Sequence, residues 1–165
     1  MRAHTASSLA RVHQHNISKS RLVEKSHIVP TQYKDVELTE LGALQAFVLG
    51  HGTGDHWNHL AECRNVLMYG AGHMREQARR RQEDIAPFVE ILALCDRAKA
   101  ALLSIRDREQ KTGRFGLSGP EKEVISGLVA TSADFWRQQP VWFFGECVKS
   151  SRARAHTLIQ PKAKS

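Results

Sequence analysis

Three potential metal ligands lie close together in one predicted helix. His56, His59 and Cys63 occupy positions i, i+3 and i+7, which places them on one side of that helix. His51 or His73 would complete a tetrahedral zinc site. In the alternative interpretation the histidines are exposed and Cys63 belongs to the apolar stripe of the same helix. We favour this alternative, because no second cysteine or paired ligand motif accompanies the cluster, and we predict no metal site.

A glycine cluster at residues 50–54 is the one candidate for a phosphate-binding loop. It has neither a preceding buried strand nor a lysine at the required position after it. A helix C-cap followed by a turn explains these glycines without a ligand. The sequence also shows no nucleophile beside a base and no carboxylate pair at useful spacing. We therefore predict a protein that is not an enzyme and that uses no cofactor.

Four arginines lie within about two helical turns of one another. They are Arg75, Arg79, Arg80 and Arg81. One interpretation is a solvated helix face, on which the arginines pair with nearby acidic residues at i to i+4 spacing. The other is a contact with phosphate groups or with an acidic partner, for which guanidinium groups are well suited.

The net charge of +7 is concentrated in the two termini. Residues 1–34 carry six Lys/Arg and one acidic residue, and residues 148–165 carry five Lys/Arg and no acidic residue, so each terminus has a charge of +5. Residues 35–147 therefore carry −3. This distribution favours flexible arms that contact polyanions without sequence preference over a basic DNA-binding face. The C-terminal candidates for nucleic-acid contact are Lys149, Arg152, Arg154, Lys162 and Lys164.

Length and composition are those of one globular domain. A chain of 165 residues with 41% hydrophobic residues is long enough to bury a single core. The mean hydropathy of −0.41 argues against a membrane protein, and no apolar run approaches the roughly 20 residues that a membrane helix requires. The first residues lack the pattern of a signal peptide. Cys63, Cys95 and Cys147 are widely spaced, which indicates buried reduced thiols in a cytoplasmic protein.

The strongest structural signal is an apolar stripe between residues 85 and 105. Its members recur every three or four residues, as in an amphipathic helix: Ile85, Phe88, Leu92, Cys95, Ala98, Leu102 and Ile105. A glycine-containing turn follows at residues 112–116, and residues 118–121 have the capping-box pattern that begins a second helix. We predict that these two helices form a hairpin at the centre of the core. The predicted core includes Phe88, Leu92, Cys95, Leu102, Leu128 and Phe135.

The predicted fold is all-α, a small antiparallel bundle of about five helices with disordered basic tails. We expect a disordered tail over residues 1–29, the helical domain over residues 30–154 and a basic tail over residues 155–165. Residues 28–33 are expected to form an extended lead-in around Pro30. The first helix is then expected to begin near Thr39, with its apolar side formed by Leu41, Leu44, Phe47 and Val48.

The second helix is expected to begin at Thr53 or Asp55 and to end at the glycines of residues 69–72. A kink is expected near residues 84–87, because Pro87 lies there.

Three consecutive aromatic residues open the last predicted helix. Trp142, Phe143 and Phe144 cannot all face one core, so we expect one of them near the surface, where it would contact a partner or a second copy. Burial against the N-terminal lead-in is the alternative, which we favour. Our candidates for partner binding are Trp142, Phe143 and, in the glycine-containing turn at residues 112–116, Arg114.

Several short motifs resemble those of small helical bacterial proteins of phages and mobile elements, a group labelled as Fis-type transcriptional regulators. The resemblance covers roughly residues 33–148. It is carried by Tyr33, Thr39-Glu40-Leu41, Gly-Thr-Gly-Asp-His-Trp at residues 52–57, Leu60, Asn65 and Thr-Gly-Arg-Phe-Gly-Leu-Ser-Gly at residues 112–119. It implies an all-helical fold and a DNA-associated regulator, and it assigns no functional residues. Residues 140–148 are aromatic where a groove-reading helix is polar and basic.

Two functions remain as hypotheses. The first is a DNA-associated regulator of a phage or mobile element, which makes weak, non-specific phosphate contacts through its basic tails. The second is a protein-interaction module, an inhibitor or adaptor that presents a helical face to a host or phage protein. A homodimer is compatible with either function.

Overall fold

In the computed structural model, the described residues 30–159 form five helices and no strand. The helices are α1 (Pro30–Val48), α2 (Gly54–Arg80), α3 (Ala86–Thr112), α4 (Gly119–Arg137) and α5 (Val141–Ile159). Side chains are described for residues 36–154. The prediction of an all-α bundle of about five helices is confirmed. The predicted disorder of residues 1–29 lies outside the described residues.

Helix α2 is the central element of the bundle. It packs against each of the other four helices, whereas α3 packs mainly against α2 and α4. Short loops connect successive helices, so neighbours along the chain run antiparallel. The prediction of a hairpin between α3 and α4 is confirmed. Helix α5 packs chiefly on α2, at the edge of the bundle formed by the first four helices.

Most of the predicted core residues are buried. Phe88, Cys95, Leu102, Leu128 and Phe135 are all below one tenth exposed. The prediction was wrong for two members of the α3 stripe. Leu92 is only half-buried, and Ile85 lies just before the first residue of α3 and is exposed.

A buried arginine ties α2 to α3. The Nε of Arg64 donates to the backbone carbonyl of Cys95 over 3.0 Å, and a second guanidinium nitrogen donates to Asn65 Oδ1 over 2.8 Å. A third contact, at 3.6 Å, reaches the exposed carboxylate of Asp96. Because the guanidinium group has several partners, the bundle holds a charge at a buried position.

The caps at both ends of the α1–α2 loop follow from the sequence. Gly50 has a φ of 77°, and the amides of Gly50 and His51 donate to the carbonyls of Phe47 and Ala46, which is a Schellman C-cap. Thr53 is the N-cap of α2, and its hydroxyl accepts from the amide of His56. The predicted end of α1 and start of α2 are confirmed.

The predicted start of α1 was wrong. The helix begins at Pro30, nine residues before Thr39, and residues 30–33 are helical rather than extended. Proline suits the first turn of a helix, because its missing N–H would have no intrahelical partner there. Pro30 restricts the conformation of the residue before it and leaves the residues after it free to be helical.

The predicted end of α2 at residues 69–72 was also wrong, because the helix continues to Arg80. Gly70 lies within it, without a positive φ. A Cβ at Gly70 would stand 2.6 Å from the Trp136 ring and 2.8 Å from the Phe135 ring. This glycine therefore permits close packing of α4 on α2 and does not terminate the helix.

Two further boundaries differ from expectation. Residues 81–85 separate α2 from α3 completely, with Gln82 at a φ of 57°, where only a kink was expected. Asp84 Oδ1 accepts from the amide of Ala86 over 2.8 Å and so satisfies a free amide at the start of α3. Helix α5 continues to Ile159, past the predicted domain boundary at residue 154.

None of the five helices between residues 30 and 159 combines the length and the hydrophobicity of a membrane-spanning segment.

Two helical glycines provide a matched test of this packing. Gly70→Ala should destabilise the protein by about 1–3 kcal/mol, because the new methyl group meets two rigid rings. Gly42→Ala in α1 should stabilise it by about 0.5–1 kcal/mol, because nothing lies within 4 Å of the added Cβ and alanine is the better helix former. Urea unfolding at low protein concentration measures both changes. Two changes of the same sign would contradict the assigned packing.

Candidate functional site

Helix α1 has an inner face that is buried in the bundle and an outer face that is exposed. The inner face contains Glu40, Ala43 and Phe47, which are 6%, 1% and 2% exposed. Leu41 and Val48, which we predicted on the buried side together with Leu44 and Phe47, are 45% and 38% exposed. The helix is therefore rotated relative to the prediction, so that a carboxyl group faces the core.

Glu40 lies in a small polar cluster between three helices. Its Oε1 accepts from the Ser132 hydroxyl on α4 over 3.5 Å, and the Cys63 thiol on α2 is a second hydrogen-bond partner. Burial raises the pKa of Glu40 to about 7, although both hydrogen bonds act in the opposite direction. Burial also raises the pKa of the Cys63 thiol well above its usual value. At neutral pH, close to the pKa of Glu40, the cluster therefore holds a protonated thiol and a carboxyl group that is partly protonated.

The outer face of α1 is apolar and exposed. Leu38 is 65% exposed and Leu49, directly after the last helical residue, is 60% exposed. Leu41 and Val48 lie between them on the same side, together with Gln45. Four of the eight exposed large hydrophobic side chains in the described residues are thus found between residues 38 and 49. The other four are Ile85, Val89, Leu103 and Trp142, which are distributed over α3, the loop before it and α5.

The turn between α3 and α4 is held by an ion pair. Arg108 donates to Glu121 Oε1 over 2.8 Å and to the carbonyl of Gly116 over 2.5 Å. Glu121 Oε2 accepts from the amide of Ser118, which completes the predicted capping box. Burial alone would raise the pKa of Glu121, but the hydrogen bonds from Arg108 and Ser118 lower it to about 2. The turn is therefore anchored by a carboxylate that stays ionised at physiological pH.

The two longest motifs of the resemblance lie at the same end of the bundle. The rings of Phe47, just before the first motif, and Phe115, within the second, pack edge to face with centroids 5.8 Å apart. Trp57 at the end of the first motif donates from Nε1 to the carbonyl of Leu102 over 2.9 Å, and Arg106 lies over its ring. In the structure both motifs cap helices and join α1, α2 and α3.

The predicted phosphate-binding arginines lie at the C-terminal end of α2. Arg75 and Arg79 are exposed. Arg80 pairs with Glu76 over 3.0 Å at i to i+4 spacing, as in the interpretation of a solvated face. Arg81, also exposed, is the C-cap residue, and its amide donates to carbonyls of the last turn.

Two C-terminal candidates are paired within the protein. Arg152 donates to Glu62 on α2 over 2.8 Å, which fixes α5 to α2. Lys149 donates to Glu146 over 2.8 Å. Arg154 is exposed near the end of the described side chains, and Lys162 and Lys164 lie outside the described residues.

The three candidates for partner binding are in different places. Trp142 is 54% exposed, so one of the three consecutive aromatics lies at the surface, and the favoured alternative of burial was wrong for it. Phe143 is 6% exposed and packs against Trp136 and His73, so it is not accessible to a partner in this structure. Arg114 is exposed in the α3–α4 turn, at the opposite end of the bundle from Trp142.

The structure does not bring the potential metal ligands together. The ring Nδ1 of His56 lies 3.0 Å from the Thr53 hydroxyl, and His73 lies beside Gln77. Cys63 is buried and faces Glu40. Within the part of the chain that is described, no group of three His, Cys, Asp or Glu side chains is placed to hold a metal ion. All three cysteines are buried and free, as predicted.

No family model, curated protein or solved structure matches this chain. The resemblance to phage and mobile-element proteins therefore stays a prediction. Sequence reasoning missed the outer face of α1, because it assigned Leu41 and Val48 to the core. The spacing of Leu38, Leu41 and Val48 by three and seven residues was the available signal.

Glu40 makes the stability of the protein depend on pH. Its pKa is about 7 in the folded state and near 4.5 in the unfolded chain, so the folded state binds a proton more tightly. Stability should therefore fall by about 3 kcal/mol as the pH rises from about 4.5 through 7. Glu40→Gln should remove this loss and should be more stable than the wild type at pH 8.

Urea midpoints at pH 5 and pH 8 measure the effect, and Glu146→Gln at an exposed ion pair is the control. If Glu40→Gln gains no more stability at pH 8 than at pH 5, the carboxyl group does not titrate in the core.

Proposed function

We propose that this protein is a non-enzymatic protein-interaction module, which binds an apolar helical surface of its partner through the outer face of α1. The supporting observation is the cluster of exposed large hydrophobic side chains between Leu38 and Leu49. Exposed apolar residues are ordinary when they are scattered, but a contiguous apolar face on one helix is typical of a protein contact. We infer an apolar surface on the partner, because a helix that docks through an apolar face presents anchor residues at helical spacing, as Leu38, Leu41 and Val48 do.

The electrostatics of the bundle favour a protein partner over DNA as the ligand of the helices. The five helices, residues 30–159, carry a net charge of only +1, because Lys34 and three cations of α5 offset the −3 of residues 35–147. The bundle therefore offers a polyanion almost no long-range attraction. Arg80, Arg137 and Arg152 have carboxylate partners within the protein, which occupies part of their capacity to bind phosphate. The three free buried thiols fit a function in the reducing cytoplasm.

A second candidate is a DNA-associated regulator of a phage or mobile element, supported by the charge of +5 over residues 1–34 and by the basic C-terminus. Of the five C-terminal cations, Lys149, Arg152 and Arg154 lie in α5, so they belong to the bundle rather than to an arm. In this hypothesis the arms release counterions from the phosphate backbone, and affinity falls steeply with added salt. The helical bundle would then serve as the common support of two basic arms. The resemblance of the short motifs favours this function, and the paired cations of α2 and α5 argue that the bundle contributes little.

The two candidates differ in what is captured from a lysate of the source organism. Baits are the wild type, Leu41→Lys on the outer face of α1, and Leu103→Lys as a control with similar exposure on α3. We expect the wild type and Leu103→Lys to capture the same partner protein. Leu41→Lys should not capture it, because the lysine at position 41 places a charge in the apolar contact. Each capture is performed with and without nuclease.

Capture that disappears with nuclease would favour the DNA-associated regulator. Identical capture by all three baits in the presence of nuclease would contradict a docking role for the outer face of α1.

A further inference from the structure

The outer face of α1 has the spacing of a coiled-coil seam. Leu38, Leu41, Gln45 and Val48 follow one another at intervals of three, four and three residues, which is the a and d pattern of a heptad. All four residues are exposed. Such a narrow stripe is typical of a helix that pairs with one other helix.

The described part of this face carries no charge. Between Leu38 and Leu49 the only acidic or basic residue is Glu40, which is buried on the opposite side of the helix. Two identical surfaces that meet across a two-fold axis bring equal charges together, so a charged face repels its own copy. In a chain that is 25% charged, twelve residues with an uncharged outer face are complementary to themselves.

Gly42 lies beside the seam, and the described residues of its own copy give it no structural explanation. It is exposed, its φ is not positive, and nothing stands within 4 Å of the position of a Cβ. Glycine within a helix lowers stability unless a backbone must approach closely. Close approach of a second helix along the seam would supply that reason.

We propose that the protein forms a weak two-fold homodimer, in which α1 pairs in parallel with α1 of a second copy. The inference rests on the proposed function, because it names the occupant of the same face. Parallel pairing places Gln45 against Gln45 of the second copy, where each amide can donate to the other carbonyl. Antiparallel pairing about the centre of the seam would place Gln45 against Leu41 and leave its amide without a partner.

The area of the outer face of α1 limits the affinity of the dimer. Twelve residues correspond to about 18 Å of helix, and a single pair of such helices covers less than the ~800 Å² per partner of a typical stable complex. The dimer is therefore concentration-dependent. Each copy carries +7, so added salt should tighten the dimer by screening the repulsion between copies, whereas salt weakens DNA binding.

Sedimentation equilibrium of the purified full chain tests the dimer. Leu41→Lys and Leu41→Glu should each raise the Kd of dimerisation roughly 100-fold, because the substitution enters the interface twice. An equimolar mixture of the two variants should recover the dimer, since the introduced lysine of one copy would then meet the introduced glutamate of the other. Leu103→Lys, at a similarly exposed leucine of α3, should leave the Kd unchanged.

A cysteine trap tests the parallel direction. Leu41→Cys and Gln45→Cys should each form a disulfide-linked dimer under mild oxidation, because parallel pairing brings each position opposite itself. The native cysteines are buried, and Leu103→Cys controls for random collision. An antiparallel pair can link at most one of the two positions to itself.

A wild type that stays monomeric at all concentrations would overturn the homodimer, as would a dimer that both Leu41 variants leave intact. Either result leaves the proposed function intact if the wild type captures a partner protein from the lysate and Leu41→Lys does not. A dimer with no such partner would support the homodimer and contradict a separate protein partner.

Discussion

The rotation of α1 about its own axis places Glu40 inside the bundle, and the properties of both faces of this helix depend on that rotation. Ala43 and Phe47 share the inner face with Glu40, and the small side chain of Ala43 allows α1 to approach the bundle closely. Phe47 completes the packing by meeting the ring of Phe115. With these three residues inside, helical geometry turns Leu38 and Leu41 outward. The helix thus buries a carboxyl group and exposes leucines.

Polar contacts join the helices at several levels of the bundle. Arg64 bonds to a backbone carbonyl of α3, Arg108 anchors the α3–α4 turn through Glu121, and Arg137 pairs with Glu37 to hold α4 against α1. The bonds of Arg64 and Arg108 are buried or partly buried, and such charge-assisted bonds are stronger than exposed pairs such as that of Arg137. They also commit several arginines of the helices to the fold. The outer face of α1, by contrast, exposes apolar side chains.

Features of the fold that depend on a few adjacent residues were predicted correctly from the sequence, and features that depend on distant residues were not. The capping box at Ser118 and Glu121 and the C-cap at Gly50 are set by a few adjacent residues, so both were predicted from sequence. Gly70 was misread as a helix end, because its role depends on the Trp136 ring, 66 positions away in the chain. The orientation of α1 was misassigned for the same reason. Leucines occupy one side of that helix and Glu40 the other, and only the partners Ser132 and Cys63 make burial of the carboxyl group acceptable.

The most direct test of the central claim, that α1 holds the bundle with one face and a second copy with the other, is amide hydrogen exchange at low and high protein concentration. Pairing would stabilise α1 against local opening. We predict that amides of residues 38–48 exchange more slowly at high concentration, while those around Leu103 in α3 are unchanged. Equal exchange in α1 at both concentrations, or slowing confined to another helix, would contradict the account.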